Sequence, residues 1–540
     1  MSASDAWITE DTRVGRVIAI SAGEIIVLLE SVAGPCFPPE AIEMGGLVKL
    51  QTRASTVFGM VRALRAPLPS FTPSEEDLNI AEVELLGEVL HVEAGGYGEF
   101  RRGVSTFPRM QAPVYLTTAE EVAQVYAPKN ASAKIGSIYQ ASSVPAYVRI
   151  NDLMAKHFGI VGTTGSGKSC AVATIFRAVI DHNPSAHIIV LDPHNEYSQA
   201  FVGRAVVLSP DSGLRLPAWI LNFEELTELV LGPEQADAEK RKVLSDAVLA
   251  AKKPVFQRLG LEKEGSVDTP VPYSMADALS HLDRAMGALN RPESIYAFQT
   301  VKSRILALQN DARYGFIFAT SLAIRDEMAE ILAHLFRIPV DGRPVTILDL
   351  SAVPSEVLNV IVSLICRLAF DFASWSEVTI PVAIVCEEAH RYAPRDNEAG
   401  FEPAKRALSR IAKEGRKYGV SLCVVSQRPS DLAPNLLSEC NTVFALRMTN
   451  NEDQDILRDT VSEASHGLMN FLPALRNGEA VVVGEGVSMP MRISFAELPS
   501  ENRPRSSTAS FTEGWSQDIN SRTAVKDTVE RWRRGRRNLV

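Results

Sequence analysis

Glycines spaced around a lysine and a serine mark the first stretch of this chain whose residue types specify chemistry. Residues 157–174 read HFGIVGTTGSGKSCAVAT. Phe158, Gly159, Ile160 and Val161 form a short apolar run, which predicts a buried strand. The chain then breaks into Gly162, Thr163, Thr164, Gly165, Ser166, Gly167, Lys168 and Ser169, and helix-favouring residues follow from Cys170. A strand, a glycine-rich loop and a helix start are the setting in which G-x-x-x-x-G-K-[ST] grips phosphate. Glycines let backbone N–H groups turn inward around an anion, and the helix N-terminus adds partial positive charge. Lys168 is placed to reach the β- and γ-phosphates, and Ser169 offers a hydroxyl to Mg²⁺. Residues 162–170 are therefore the candidate cofactor-binding segment, and a nucleoside triphosphate is the expected ligand.

Hydrolysis also needs a group that supports the metal and a group that activates water. The run PVAIVC, residues 381–386, is apolar without alternation, as in a strand buried on both faces, and it ends in Glu387 and Glu388. Glu387 is the candidate Mg²⁺ support and Glu388 the candidate base. The next strand, Val420 to Ser426, ends in Gln427, which is positioned to hydrogen-bond the γ-phosphate or the water. His390 reads more readily as a structural hydrogen bond at a helix start than as chemistry. Charge developing on the γ-oxygens calls for a cation. Arg416 is the favoured candidate and Arg410 the second. If this arginine comes from a neighbouring subunit, hydrolysis requires a ring. Asp192 and Glu196 close a further strand, Ala186 to Leu191.

These residues need a sheet to hold them. Alternating strands and helices from about residue 151 predict an α/β fold with a parallel sheet covered on both faces. Ligands in such sheets lie beyond the carboxyl ends of the strands. Helical periodicity replaces that rhythm from Leu221 to about Tyr314, which reads as a helical insertion in the ATPase domain. A long helix is expected from Ser355 to Ala373, another from about Ala404 to Tyr418, and later strands at Thr442–Arg447 and Glu479–Gly484. Short β-branched runs fill residues 1–115 and predict a small barrel or sandwich serving assembly. Residues 116–150 read as a connector with one helix over Thr118–Tyr126. The stretch 499–540 is a polar tail ending in basic residues from Arg531 to Arg537.

Bulk properties bound the function. A chain of 540 residues exceeds a single core, so several domains are expected. The formal net charge of −10 argues against coating DNA with the outer surface, but it leaves room for a basic channel within an acidic shell. Arg391, Arg395, Lys405 and Arg406 are candidate channel residues. Six scattered cysteines without C-x-x-C spacing point to a reducing, cytoplasmic setting. No apolar run is expected to reach the ~20 residues of a membrane span, and the first residues do not read as a signal peptide. A guanine-reading N-K-x-D pattern after a strand is not seen, which weakens a GTP switch.

The motifs GTTGSGKS, LDPHNEY, VAIVCEEAHRY and RIAKEGRKYGVSLCVVSQRPSDL together resemble the HerA branch of the HerA/FtsK ATPases, over about residues 10–495. The resemblance implies a RecA-like P-loop ATPase with an N-terminal small β-barrel, assembled as a homo-hexamer. It implies ATP hydrolysis at subunit interfaces and translocation of double-stranded DNA through a central channel. Carried over by motif, Lys168 and Ser169 hold the nucleotide, Glu387 and Glu388 form the acidic pair, Gln427 is the sensor and Arg416 the arginine from the adjacent subunit. Asn195 stands where the family often has glycine. The resemblance also implies a separate nuclease or antiviral-defence effector. The alternative is an ATP-gated ring scaffold that assembles and switches a partner enzyme.

Overall fold

Branched and aromatic residues alternating with polar ones drive strand formation early in the chain. The computed structural model describes residues 12–21, 23–30, 42–66, 79–91, 97–127, 131–232, 237–287, 292–319, 325–377, 379–396, 402–461, 466–505, 511–516 and 522–533. Strands β1 (Arg13–Ile20), β2 (Glu24–Leu29), β3 (Leu47–Gln51), β4 (Ser55–Arg65), β5 (Ile80–His91), β6 (Tyr97–Arg102) and β7 (Pro113–Leu116) form one sheet in the order β2-β1-β7-β3-β4-β5-β6. Pairing of β2 with β5 closes six of them into a barrel, with β6 attached outside the closure. Val17, Ile25, Val27, Leu50, Val61, Val83 and Val114 fill its interior. Gly87 is needed where β5 meets β6, because a Cβ there would lie 2.2 Å from the Arg101 carbonyl. Two strands, β6 and β7, escaped the sequence reading.

Residues 116–150 hold more than a connector. Helix Ala119–Val125 is present, and Thr118 and Glu121 cap each other's backbone N–H at its start. Two strands then follow, β8 (Ser132–Ile138) and β9 (Pro145–Arg149), before β10 (His157–Val161). Further along come β11 (Ile188–Asp192), β12 (Ala205–Leu208), β13 (Val345–Asp349), β14 (Val382–Cys386), β15 (Val420–Ser426), β16 (Cys440–Leu446), β17 (Glu479–Gly484) and β18 (Met491–Phe495).

The chain divides into two compact units. The first comprises Met1–Pro184, Ala373–Gly400 and Leu408–Pro499. Its main sheet runs β14-β15-β10-β16-β17-β18-β8-β9. The first four strands are parallel, and β17, β18, β8 and β9 continue the sheet antiparallel. The sheet is therefore mixed, where sequence rhythm alone predicted a parallel one. Every residue of β10 and β15 is buried, as expected of strands covered on both faces.

The second unit comprises Ser185–Phe372, Phe401–Ala407 and Ser500–Val540. Within it β12, β13 and β11 are parallel neighbours. Helices Phe223–Leu231, Ala238–Leu259, Met275–Gly287 and Pro292–Asn310 occupy the region predicted to be a helical insertion. The Arg367 guanidinium grips Glu225 with two hydrogen bonds, 3.1 and 2.9 Å, and also donates to the Ile220 carbonyl at 2.7 Å.

One expectation is corrected. Helix Ser355–Trp375 contains a 19-residue stretch, Val357–Trp375, long and apolar enough to cross a membrane. Val357, Val360, Ile361, Leu364, Ile365, Cys366 and Ala369 are all buried in the protein, so burial accounts for its composition. The tail carries two helices, Phe511–Ser516 and Arg522–Arg533. Arg534, Arg536 and Arg537 of the predicted basic run lie outside the described residues, as does Cys36. The other five cysteines are free, and four of them are buried.

Candidate active site

The loop after β10 takes its shape from small residues. A Cβ on Gly162 would lie 2.8 Å from both the Leu446 Cβ and the Ser166 Oγ. Thr163 donates its backbone N–H (3.0 Å) and its hydroxyl (3.1 Å) to the Arg447 carbonyl just past β16. Gly165 and Gly167 adopt left-handed conformations with φ of +75° and +104°, which favour glycine over any residue with a Cβ. Helix Lys168–His182 starts directly after Gly167, so its free N–H groups face the loop.

The residues fit a triphosphate. The glycines leave the loop backbone unshielded, and buried Ser166 Oγ has no hydrogen-bond partner. The Lys168 ammonium is held inside the loop by the Gly162 and Thr163 carbonyls at 3.0 and 3.2 Å. Ser169 is half-buried beside exposed Cys170, so its hydroxyl is the group suited to a divalent cation at this end.

The acidic pair lies just past the carboxyl end of β14, and both members are buried. Glu388 has φ +53°, a backbone state uncommon outside glycine and enriched at functional sites. Gln427 follows β15, the parallel neighbour of β14 and β10. Its amide N–H₂ donates to both Glu388 oxygens, at 3.1 and 3.0 Å. Its carbonyl accepts the hydroxyl of Thr164 in the phosphate loop. The phosphate loop, Gln427 and the candidate base thus form one hydrogen-bonded line across three strand ends.

His390 extends that line. Its Nε2 lies 3.3 Å from Glu388 Oε2, and its Nδ1 lies 3.1 Å from Ser426 Oγ. Burial pushes the His390 pKa below its ordinary value, opposed by the neighbouring Glu388 carboxylate. Sequence reasoning weighed this histidine as structural and did not single out Ser426. The signal available was their placement, each beside a strand-end residue already marked.

Arg416 is not brought to the loop of its own chain. It is exposed in the last turn of helix Glu402–Tyr418, which leads into the first residue of β15. The loop and Gln427 lie at the other end of that seven-residue strand, about 20 Å away. The hydrogen bond from Lys156 chiefly holds the Glu485 carboxyl below its usual range, and the Arg416 charge adds a smaller push in the same direction. Arg410 is exposed on the same helix. Arg391 and Arg395 are exposed in the segment after β14, and Arg406 pairs with Glu402 at 3.4 Å beside Lys405.

In the second unit, Asp192 closes β11 and is fully buried. It accepts backbone N–H groups from His194, Glu196 and Tyr197 at 3.3, 3.1 and 3.0 Å. Burial raises its pKa to about 6 despite those donors. Its geometry is that of a turn anchor. Asn195 has φ +54°, a left-handed backbone state in which asparagine is enriched among residues other than glycine.

The family model described as "Helicase HerA, central domain" matches residues 133–369. The DNA double-strand break repair helicase HerA of Pyrococcus furiosus is 26% identical over 464 residues, covering 79% of this chain and 78% of the relative. The protein of the same name from Sulfolobus acidocaldarius is 25% identical over 415 residues, covering 76% and 77%. VirB4 of Thermoanaerobacter pseudethanolicus shares the fold, with a TM-score of 0.50 and 16% identity over 69% of this chain and 98% of that one. With its phosphate loop and acidic strand end in place, the chain is a P-loop ATPase whose central region is similar to the central domain of HerA helicases.

Proposed function

We propose that this ATPase is a ring-forming motor that moves double-stranded DNA through a central channel. The observation that carries this reading is the line from Thr164 through Gln427 to Glu388. It joins the phosphate loop to the candidate base, so the state of one is felt by the other. Residues 162–170 hold ATP, with Ser169 and Glu387 as the groups for Mg²⁺. Glu388 takes a proton from the attacking water, and Gln427 reports on the γ-phosphate. Arg416 completes the site of the adjacent protomer in a homo-hexamer, a role supported by its distance from its own loop. DNA as the track is supported by the double-strand break repair helicases of similar sequence. A separate nuclease or antiviral-defence effector is the proposed partner.

The proposed domains are an assembly barrel over 1–115 and an ATPase domain over 151–498 with its insertion at about 221–314. A tail or brace spans 499–540. The 116–150 segment lends β8 and β9 to the ATPase sheet.

The test is steady-state ATP hydrolysis with and without double-stranded DNA. DNA is expected to stimulate turnover. Glu388→Gln is expected to lower turnover by about 10²–10⁴-fold while ATP still binds. Normal turnover by that variant would remove Glu388 as the base. A second reading is an ATP-gated scaffold that switches a partner enzyme. It is favoured by exposed Leu259 and Tyr296 on the insertion. DNA-independent turnover with a stable stoichiometric partner would select it.

A further inference from the structure

A carboxylate that removes a proton from water must face the water with one lone pair and be held everywhere else. Around Glu388 the donors can be given directions. The backbone N–H of Arg428 donates to Ser426 Oγ at 3.1 Å. That contact uses one acceptor site of the hydroxyl and leaves its proton to point elsewhere. Ser426 Oγ lies 3.1 Å from His390 Nδ1, and the other ring nitrogen, Nε2, faces Glu388 Oε2 at 3.3 Å. A carboxylate that serves as a base only accepts, so Nε2 carries the ring proton, and in the neutral ring Nδ1 accepts the Ser426 hydroxyl proton.

This assignment makes His390 a neutral donor, in agreement with the downward push that burial exerts on its pKa. Ser426 is the last residue of β15 and is fully buried, so the chain is anchored on the sheet. Gln427 contacts both Glu388 oxygens from the side of the phosphate loop. His390 holds the same carboxylate through the Ser426 hydroxyl, a side-chain path separate from Gln427 and Thr164, while the Ser426 carbonyl accepts the Gly162 N–H at 3.3 Å. The Glu388 backbone is left-handed, a state that persists only where surrounding contacts fix it.

The geometry points to His390 as the positioning residue of Glu388: it carries the order of β15, through Ser426, to the carboxylate, and keeps that carboxylate aimed when Gln427 is drawn toward a bound γ-phosphate. Histidine is suited to this task because one ring nitrogen accepts while the other donates in a different direction from the same rigid frame. The inference rests on Glu388 being the base.

The experiment uses the full-length protein with ATP and double-stranded DNA. Four variants are compared with the wild type: His390→Ala, His390→Gln, Ser426→Ala and Glu388→Gln. His390→Ala is expected to lower kcat by about tenfold to a hundredfold, the cost of a catalytic group misplaced by about 1 Å, with KM within about twofold. His390→Gln retains an N–H donor of similar reach and is expected to recover most of kcat. Ser426→Ala is expected to lower kcat by a smaller factor in the same direction, and it supplies the test if His390→Ala does not fold. A purely structural histidine would shift Tm or KM without rescue by glutamine. The inference is overturned if His390→Ala keeps wild-type kcat, if its loss falls in KM, or if glutamine fails to rescue a folded enzyme. Should Glu388→Gln lose turnover while His390→Ala keeps it, only this inference fails. Should Glu388→Gln itself turn over normally, the assignment of the base fails.

Discussion

Gly162 shows how tightly single residues are specified at the loop. A Cβ there would press on Leu446 and Ser166 at 2.8 Å, with the Arg447 carbonyl at 3.4 Å. Gly162→Ala is expected to cost about 1–3 kcal/mol of stability and to weaken ATP binding in a fluorescent-nucleotide titration. Unchanged affinity would show that the loop has room the geometry denies. The loop was legible in the sequence because all its parts are contiguous, from the strand before it to the helix after. The contacts of Glu388 were legible only as neighbouring strand ends. Gln427 lies 39 positions further along, and strand pairing brings the two together. Nothing local to His390 distinguishes a helix-start hydrogen bond from a hold on the base, so its place had to be seen.

At the level of elements, buried charge and buried imidazole govern how strands and helices are held. Glu225 is fully buried and is met by Arg367, Ser363 and its own helix-capping bonds. Arg367→Met would strand that carboxylate, and the expected loss is about 3–5 kcal/mol, read from urea unfolding. Helix 355–375 was placed correctly from its period, but its apolar length was underestimated because Arg367 and Asp371 punctuate the run. His157, at the start of β10, accepts the Leu422 N–H at 3.1 Å. Burial depresses its pKa from 6.5 to about 4. The folded chain therefore keeps it neutral where the unfolded chain protonates it. Its share of stability is fully present above pH 6.5 and is lost as pH falls toward about 4. That loss is on the order of a few kcal/mol. His157→Gln is expected to flatten this part of the stability–pH curve, and an unchanged slope would assign acid sensitivity elsewhere. Glu84 in the barrel works in the opposite direction. Burial raises its pKa to about 7, so its contribution is present at low pH and fades as pH rises through neutrality.

For the whole molecule, the β-rich start, the α/β middle and the helical insertion were readable from changes in periodicity. The antiparallel extension of the sheet was not, because β8 and β9 precede the phosphate loop and β18, the strand that joins β8 to the sheet, lies more than 300 residues later. Light scattering on the purified protein is expected to give six times the 58.9 kDa protomer mass. A monomer with full ATPase activity would exclude a shared arginine. Removal of residues after Ser500 tests the tail in the same measurement, since an unchanged hexamer would rule out an essential brace. Arg102, on β6 of the barrel, donates to the carbonyls of Ser488, Val487 and Gly484 at 2.6, 2.6 and 2.9 Å. Arg149 holds the same hairpin turn through Glu485 and Val487, at 2.5 and 2.9 Å. Arg102→Ala is expected to split the calorimetric unfolding of the full chain into two transitions, and a single unchanged peak would contradict it. Guanidinium groups clasping main-chain oxygens yield little to side-chain turnover. A tug on the β17–β18 hairpin is thus handed straight to the barrel, and grafting that barrel onto another engine would require transplanting the hairpin as well.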